Sequence, residues 1–182
     1  MMHSDDGFWK RKYRSEWKAG AERVSQVLGI LRPLYPSLQI EPKDYALSEN
    51  FIKPSSSHVK HDPDITVTKN GSLLCEIEVS GSFIDLEKDD PIYVLLSKYR
   101  KAVERKTKEN IDTWFWLVFD NGHYSFDLDF LSLFKDKLET VNFKGFPETY
   151  ISIPERLSYS ARYFVYWLND QVQKNTGLGD FM

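Results

Sequence analysis

The chain has 182 residues, 41% hydrophobic, 28% charged and 15% aromatic, with a formal net charge of −3 and a pI near 5.8. That is enough apolar chain for one domain around a single core, and it excludes disorder over most of the length. The charge excludes nucleic-acid binding by bulk positive charge but not through a local basic patch; the single cysteine, Cys75, excludes an internal disulfide.

Residues 5–32 are predicted to form a long helix. Tyr13, Trp17, Gly20, Ala21, Val24, Leu28 and Leu31 recur at three- and four-residue steps and make one buried stripe. Asp5 or Asp6 is placed to cap its start, and Pro33 and Pro36 to end it. Residues 37–41 read as a short strand. Residues 42–62, with Pro42, Pro54, three serines, His58 and His61, read as a long polar loop of the kind that often carries function. The runs "DITVT" and "SLLCEIEV" flank Lys69-Asn70-Gly71. Asn-Gly between apolar runs predicts a hairpin, because both residues accept the positive φ of a type I′ turn.

Asp89 or Asp90 before Pro91 predicts a helix start, and residues 90–109 a helix buried through Ile92, Leu95, Leu96, Tyr99, Ala102 and Val103. Lys98, Arg100, Lys101, Arg105, Lys106 and Lys108 make the rest of it basic. "TWFWLVFD", residues 113–120, reads as a central strand. Residues 127–140 read as a short helix, 149–154 as a strand, and 155–174 as a last helix packing through Tyr159, Tyr163, Val165, Tyr166 and Leu168. Residues 175–182 read as a frayed tail.

The predicted class is α/β: one domain over residues 1–182, with a small mixed sheet that has a β-hairpin core and flanking helices. The helix at 90–109 serves as the crossover from the hairpin to a parallel strand at 113–120. The opening residues lack the apolar segment of a secretory leader, and no run approaches about 18 apolar residues. A cytoplasmic location without membrane association is therefore expected.

Strand alternation puts Asp64, Thr66 and Thr68 on one face of the hairpin, and Glu76, Glu78 and Ser80 on one face of its second strand. Carboxylates gathered on an otherwise apolar strand repel each other unless a cation or a shared proton joins them. Hard divalent cations take oxygen ligands of this kind, and metal-assisted phosphodiester cleavage uses them. The alternative is an open, solvated sheet face on which Glu76 and Glu78 simply pair with lysines. Glu22 alone reads as a surface helix residue, His58 and His61 as polar loop residues, and Cys75 as a small buried hydrophobe facing away from the acids.

Pro63-Asp64, the hairpin, and Glu76-Ile77-Glu78 resemble the PD-(D/E)xK nuclease superfamily, most closely archaeal Holliday-junction resolvases and related viral nucleases. "KAGAERVSQVLGIL" resembles the opening helix of those resolvases, and the whole resemblance spans roughly residues 18–120. It implies a restriction-endonuclease-like fold and a DNA endonuclease dependent on Mg²⁺ or Mn²⁺. It implies Asp64, Glu76 and Glu22 as metal ligands, and Glu78 as a third ligand or the group that positions water. Lys60, His61, Lys101 and Arg105 become candidate nucleic-acid contacts, and a homodimer is the family's arrangement. One departure stands out. The usual motif lysine is replaced by Glu78, or by Ser80 if Glu78 is the middle acid. Lys98 or Lys101 of the following helix could supply it, Lys98 being the first choice. The same loss is what a catalytically inactive nuclease-fold module would show, one that binds nucleic acid or a partner. An unrelated α/β domain binding a small cationic ligand is the third reading.

Overall fold

The computed structural model describes residues 6–48, 62–82, 84–87, 90–143, 146–154 and 161–174, with the backbone alone for residues 6–17, 143 and 146. Its elements are α1 (Asp6–Leu34), β1 (Gln39–Pro42), β2 (Ile65–Lys69), β3 (Ser72–Gly81), β4 (Pro91–Leu95), α2 (Leu96–Glu109), β5 (Thr113–Phe119), β6 (Gly122–Phe126), α3 (Leu128–Ser132), β7 (Leu138–Phe143), β8 (Phe146–Pro154) and α4 (Arg162–Lys174). A five-stranded sheet runs in the order β1-β2-β3-β5-β6, and a three-stranded sheet in the order β4-β8-β7.

The hairpin forms as expected. Asn70 and Gly71 take φ of 51° and 79°, and β2 pairs with β3 so that Ile65 faces Ile77 and Thr66 faces Glu76. Near the turn the register slips, with Val67 opposite Cys75 and Thr68 opposite Leu73. Leu74 is the extra residue of a bulge. β3 then pairs in parallel with β5, a connection that only a crossover can make, and α2 provides it. Gly81 at the end of β3 has φ of 118°, and a Cβ there would lie 2.0 Å from the Val118 carbonyl oxygen. Only glycine lets β3 close onto β5 at that point.

The sheet separates two cores. On one face Val24 and Leu31 of α1 pack with Ile77, Trp114, Trp116, and Phe164 and Leu168 of α4. On the other, Phe115 and Leu117 pack with Ala102 of α2 and with Ile92, Val94, Ile151 and Ile153 of the small sheet. Glu76, Glu78 and Ser80 register with Thr113, Phe115 and Leu117, so the acids point into the second core. This removes the solvated-face alternative in its open form: Glu76 is 6% exposed and Glu78 2%.

Four expectations change. Pro91–Leu95 is a strand, β4, and the helix begins only at Leu96. Ile92 and Val94 are buried in alternation, a two-residue period that overrides the Asp-Pro start signal. In α2 the buried residues are Tyr99 and Ala102, while Val103 is 39% exposed. The helix expected at 127–140 is a five-residue α3, capped by Asp127 accepting from the Phe130 N–H, followed by β7. In α4, Phe164 and Leu168 are buried, whereas Tyr163 and Tyr166 are 41% and 68% exposed. Residues 159 and 175–182 lie outside the described residues, as do Lys60, His58 and His61. Among the described residues no helix is long and apolar enough to cross a membrane.

Candidate active site

Asp64 stands just before β2 and is fixed by its backbone on both sides. Its N–H donates to the Ile77 carbonyl, and its carbonyl accepts from the Lys43 N–H, at 2.9 and 2.8 Å. Its carboxylate Oδ2 accepts from the Val79 N–H at 2.8 Å. These bonds hold Asp64 opposite Glu78. Burial raises the pKa of both carboxyl groups, Glu78 to about 8, so the pair favours holding a proton at neutral pH.

Lys98 of α2 reaches the same point. Its Nζ donates to Glu78 Oε1, with the lysine side chain 24% exposed and the glutamate side chain 3%. Burial disfavours the ammonium, but the charges of Glu78 and Asp64 more than offset it and raise its pKa. Burial also raises both acids, Glu78 to about 8, against the opposing pull of Lys98. Two acids that share one proton balance the one lysine, and the Arg23 charge also acts on Asp64. Glu78 Oε2 and Glu76 Oε2 are both buried without a hydrogen-bond partner among the described residues. Such an oxygen must carry a proton or meet a cation.

Glu76, two residues earlier on the same face, has different company. Arg105 Nε lies 3.2 Å from its Oε2 and Lys43 Nζ 3.7 Å from its Oε1. Burial raises its pKa, and Arg105 and Lys43 pull it down. Lys98 and Arg105 are seven residues apart on α2, about 10 Å. The two glutamates are about 7 Å apart along β3. The crossover helix thus lays two cations of one face along two acids of one strand.

Asp64, Glu76 and Glu78 therefore share a face, as alternation predicts, but occupy two ionic groups. Among the described residues no three His, Cys, Asp or Glu side chains come together closely enough to hold one metal ion. Glu22 is exposed. Its neighbour Arg23 turns toward the site, where burial lowers its pKa and the Asp64 charge raises it. Lys101 pairs with Glu104 at 2.9 Å along the helix, away from the acids. Lys43, Arg23 and Tyr45 had no signature in the sequence. The Tyr45 hydroxyl donates to the Pro63 carbonyl at 2.6 Å, and burial among Asp64, Asp62, Glu78 and Glu76 pushes its pKa up.

No family model matches the chain, and no curated protein does. Solved structures do. D212, a nuclease from a fusselovirus, superposes with a TM-score of 0.50 and 12% identity, over 96% of this chain and 98% of its own. Hjc of Archaeoglobus fulgidus, a Holliday junction resolvase from an archaeal hyperthermophile, gives a TM-score of 0.45 and 14% identity, over 80% of this chain and 94% of its own. The fold is restriction-endonuclease-like. It is the fold of the viral nuclease, matched across nearly the whole of both chains.

A divalent cation fits the Asp64–Glu78 pair better than it fits Glu76. The pair offers hard oxygen donors from two acids and favours a proton that a cation could replace. Glu76 already has two cations.

Proposed function

We propose that the chain is a nuclease that hydrolyses phosphodiester bonds of DNA with Mg²⁺ or Mn²⁺. The observation that carries this reading is the buried group of Asp64, Glu78 and Lys98, in which two acids face one another across the hairpin and meet one lysine. The nuclease fold supports it.

Asp64 and Glu78 would hold the metal, which supplies Lewis-acid polarisation of the scissile phosphate and a bound water of lowered pKa. The backbone bonds of Asp64 fix its carboxylate before anything binds, so little reorganisation is required. Lys98 takes the place of the lysine that β3 lacks. Its ammonium neutralises Glu78 in the free protein, and next to a phosphate it would orient water or offset charge on the non-bridging oxygens. Ser80, on the same face two residues beyond Glu78, is too short and uncharged for that work. Arg105 and Lys43 keep Glu76 out of the metal group and add positive charge beside it. The buried surroundings of Glu78 strengthen each of these interactions.

A second reading, a nuclease-fold binding module without chemistry, draws support from the same ion pair. Lys98 on Glu78 is a partial closure that a structural site would also use. One assay separates the two. Linear duplex, single-stranded and branched DNA are incubated with wild type and Asp64→Ala, with and without Mn²⁺. Cleavage by wild type with Mn²⁺ alone, lost in Asp64→Ala, is the expected result. Binding without cleavage of any substrate would select the module, and neither binding nor cleavage would remove both.

A further inference from the structure

A cleft of about 880 Å³ lies between α1, the end of β3 and the small sheet. One wall is Arg23 of α1 and the end of β3, Ser80 to Ser82; the other is Tyr93, Tyr150 and Val141 of the small sheet. Two of its lining residues adjoin the site. Ser80 follows Glu78 by two residues on the same strand face, and Arg23 lies in the field of Asp64.

The far wall is unusual in what it presents. β4 buries Ile92 and Val94 and turns Tyr93 to the other side. β8 likewise buries Ile151 and Ile153 and turns Tyr150 outward. The two rings meet edge to face at a centroid distance of 5.9 Å, yet neither belongs to a hydrophobic core. Val141 beside them is 40% exposed. Their hydroxyls are engaged, Tyr93 donating to Glu139 at 2.8 Å and Tyr150 to Glu148 at 2.5 Å. What remains for a ligand is aromatic ring.

The geometry points to a subsite for an unpaired nucleotide, its base on Tyr93 and Tyr150 and its phosphate toward Arg23 and the Asp64–Glu78–Lys98 group. An aromatic ring for the base to stack on, next to a cationic side chain, is how sequence-tolerant single-strand sites hold a base and its backbone. Glu139 and Glu148 place negative charge at the opposite end, so a polyanion is repelled there and the phosphate is oriented to the Arg23 end. The volume suits about one or two nucleotides and is in the usual range of small-ligand clefts. The substrate class that follows has unpaired nucleotides next to the scissile phosphate: a single strand, a flap or a branch, in preference to uninterrupted duplex. This rests on the nuclease reading for the position of the scissile phosphate, and the test separates the two.

The probe is a short single-stranded oligonucleotide carrying 2-aminopurine, compared with a blunt duplex of the same sequence, in wild type without added metal. Wild type should bind the single strand more tightly and quench the 2-aminopurine. Tyr93→Ala and Tyr150→Ala should each weaken that binding by roughly 5- to 100-fold and lose the quench, while the corresponding Phe variants keep both. Val141→Glu, on the exposed wall, should weaken binding without touching a core and serves if an alanine variant does not fold. Cleavage assays on the same proteins isolate the parent reading. Ring-dependent binding without Mn²⁺-dependent cleavage would leave the subsite standing and sink the nuclease. Cleavage with binding indifferent to the rings and to Val141→Glu would overturn the subsite alone. Capture of an apolar peptide in the cleft, with no oligonucleotide bound, would also overturn it.

Discussion

Glu76 and Glu78 have the same strand, the same face and near-equal burial, yet different ionic company. Glu78 meets Lys98 and stands opposite a second acid, Asp64, on which the Arg23 charge also acts. Glu76 has two cations, Arg105 and Lys43. The first group sets two acids together and favours a proton; the second sets one acid against two cations. Spacing along a strand places carboxylates together on a face, but the elements that cross over them decide which cations each one meets. Here α2 and the segment after β1 give Glu76 two cations, while α2 gives Glu78 one.

The largest way to break the contrast is Lys98→Met. It removes the cation that meets Glu78 Oε1, and removing one partner of a buried ion pair costs about 3 kcal/mol or more. For a chain of this size the melting temperature should fall by about 6–12 °C. A drop no larger than that of an exposed lysine would show that Lys98 is not the counter-ion of Glu78.

Metal should sharpen it. Mn²⁺ at about 100 times its Kd would stabilise a folded-state site by about 2.7 kcal/mol. Wild type should melt correspondingly higher with Mn²⁺, Asp64→Ala should gain nothing, and Glu76→Gln should gain as much as wild type. An equal gain in Asp64→Ala would put the metal elsewhere.

A smaller effect follows from the proton. Glu78 titrates at about 8 in the folded chain and near the ordinary glutamate value of about 4.3 unfolded. The folded state therefore binds the proton more tightly. Its contribution is fully present below the unfolded pKa and is lost as pH rises through the folded one. Wild type should lose roughly 1 kcal/mol between about pH 7 and about pH 8, and Glu78→Gln should show a flatter profile. A wild-type profile as flat as that of the variant would mean the pair holds no proton.

The smallest change is Lys43→Ala. The pair spans 3.7 Å and the lysine side chain is 38% exposed, so its loss should cost under about 1 kcal/mol. Denaturant unfolding would measure it. A loss above about 2 kcal/mol would mean that Glu76 depends on Lys43 as much as Glu78 depends on Lys98.

Much of this was legible in local signals. Asn70-Gly71 announces the hairpin, "TWFWLVFD" the central strand, and alternation the common face of the acids. That Lys98 reaches the acidic strand was legible because the crossover must bring α2 back along β3. β4 was hidden by competing periods: Ile92, Leu95 and Leu96 fit a helix while Ile92 and Val94 fit a strand, and only pairing with β8 decides. β6 follows Asn121-Gly122, the same kind of turn signal as the first hairpin, and could have been found from it. The partition of the acids was not legible. Lys43 and Arg23 meet them through the fold, with no spacing rule linking positions 43 and 76 or 23 and 64. Glu22 and Arg23 are adjacent on α1, and about 100° of helix rotation decides which one turns inward.

The most direct test of the central claim is a calorimetric titration of Mn²⁺ into wild type, Glu78→Gln and Glu76→Gln at fixed pH. Wild type and Glu76→Gln should bind with similar affinity, and Glu78→Gln should lose at least tenfold. Loss in Glu76→Gln with binding retained in Glu78→Gln would contradict the assignment of the metal to Asp64 and Glu78.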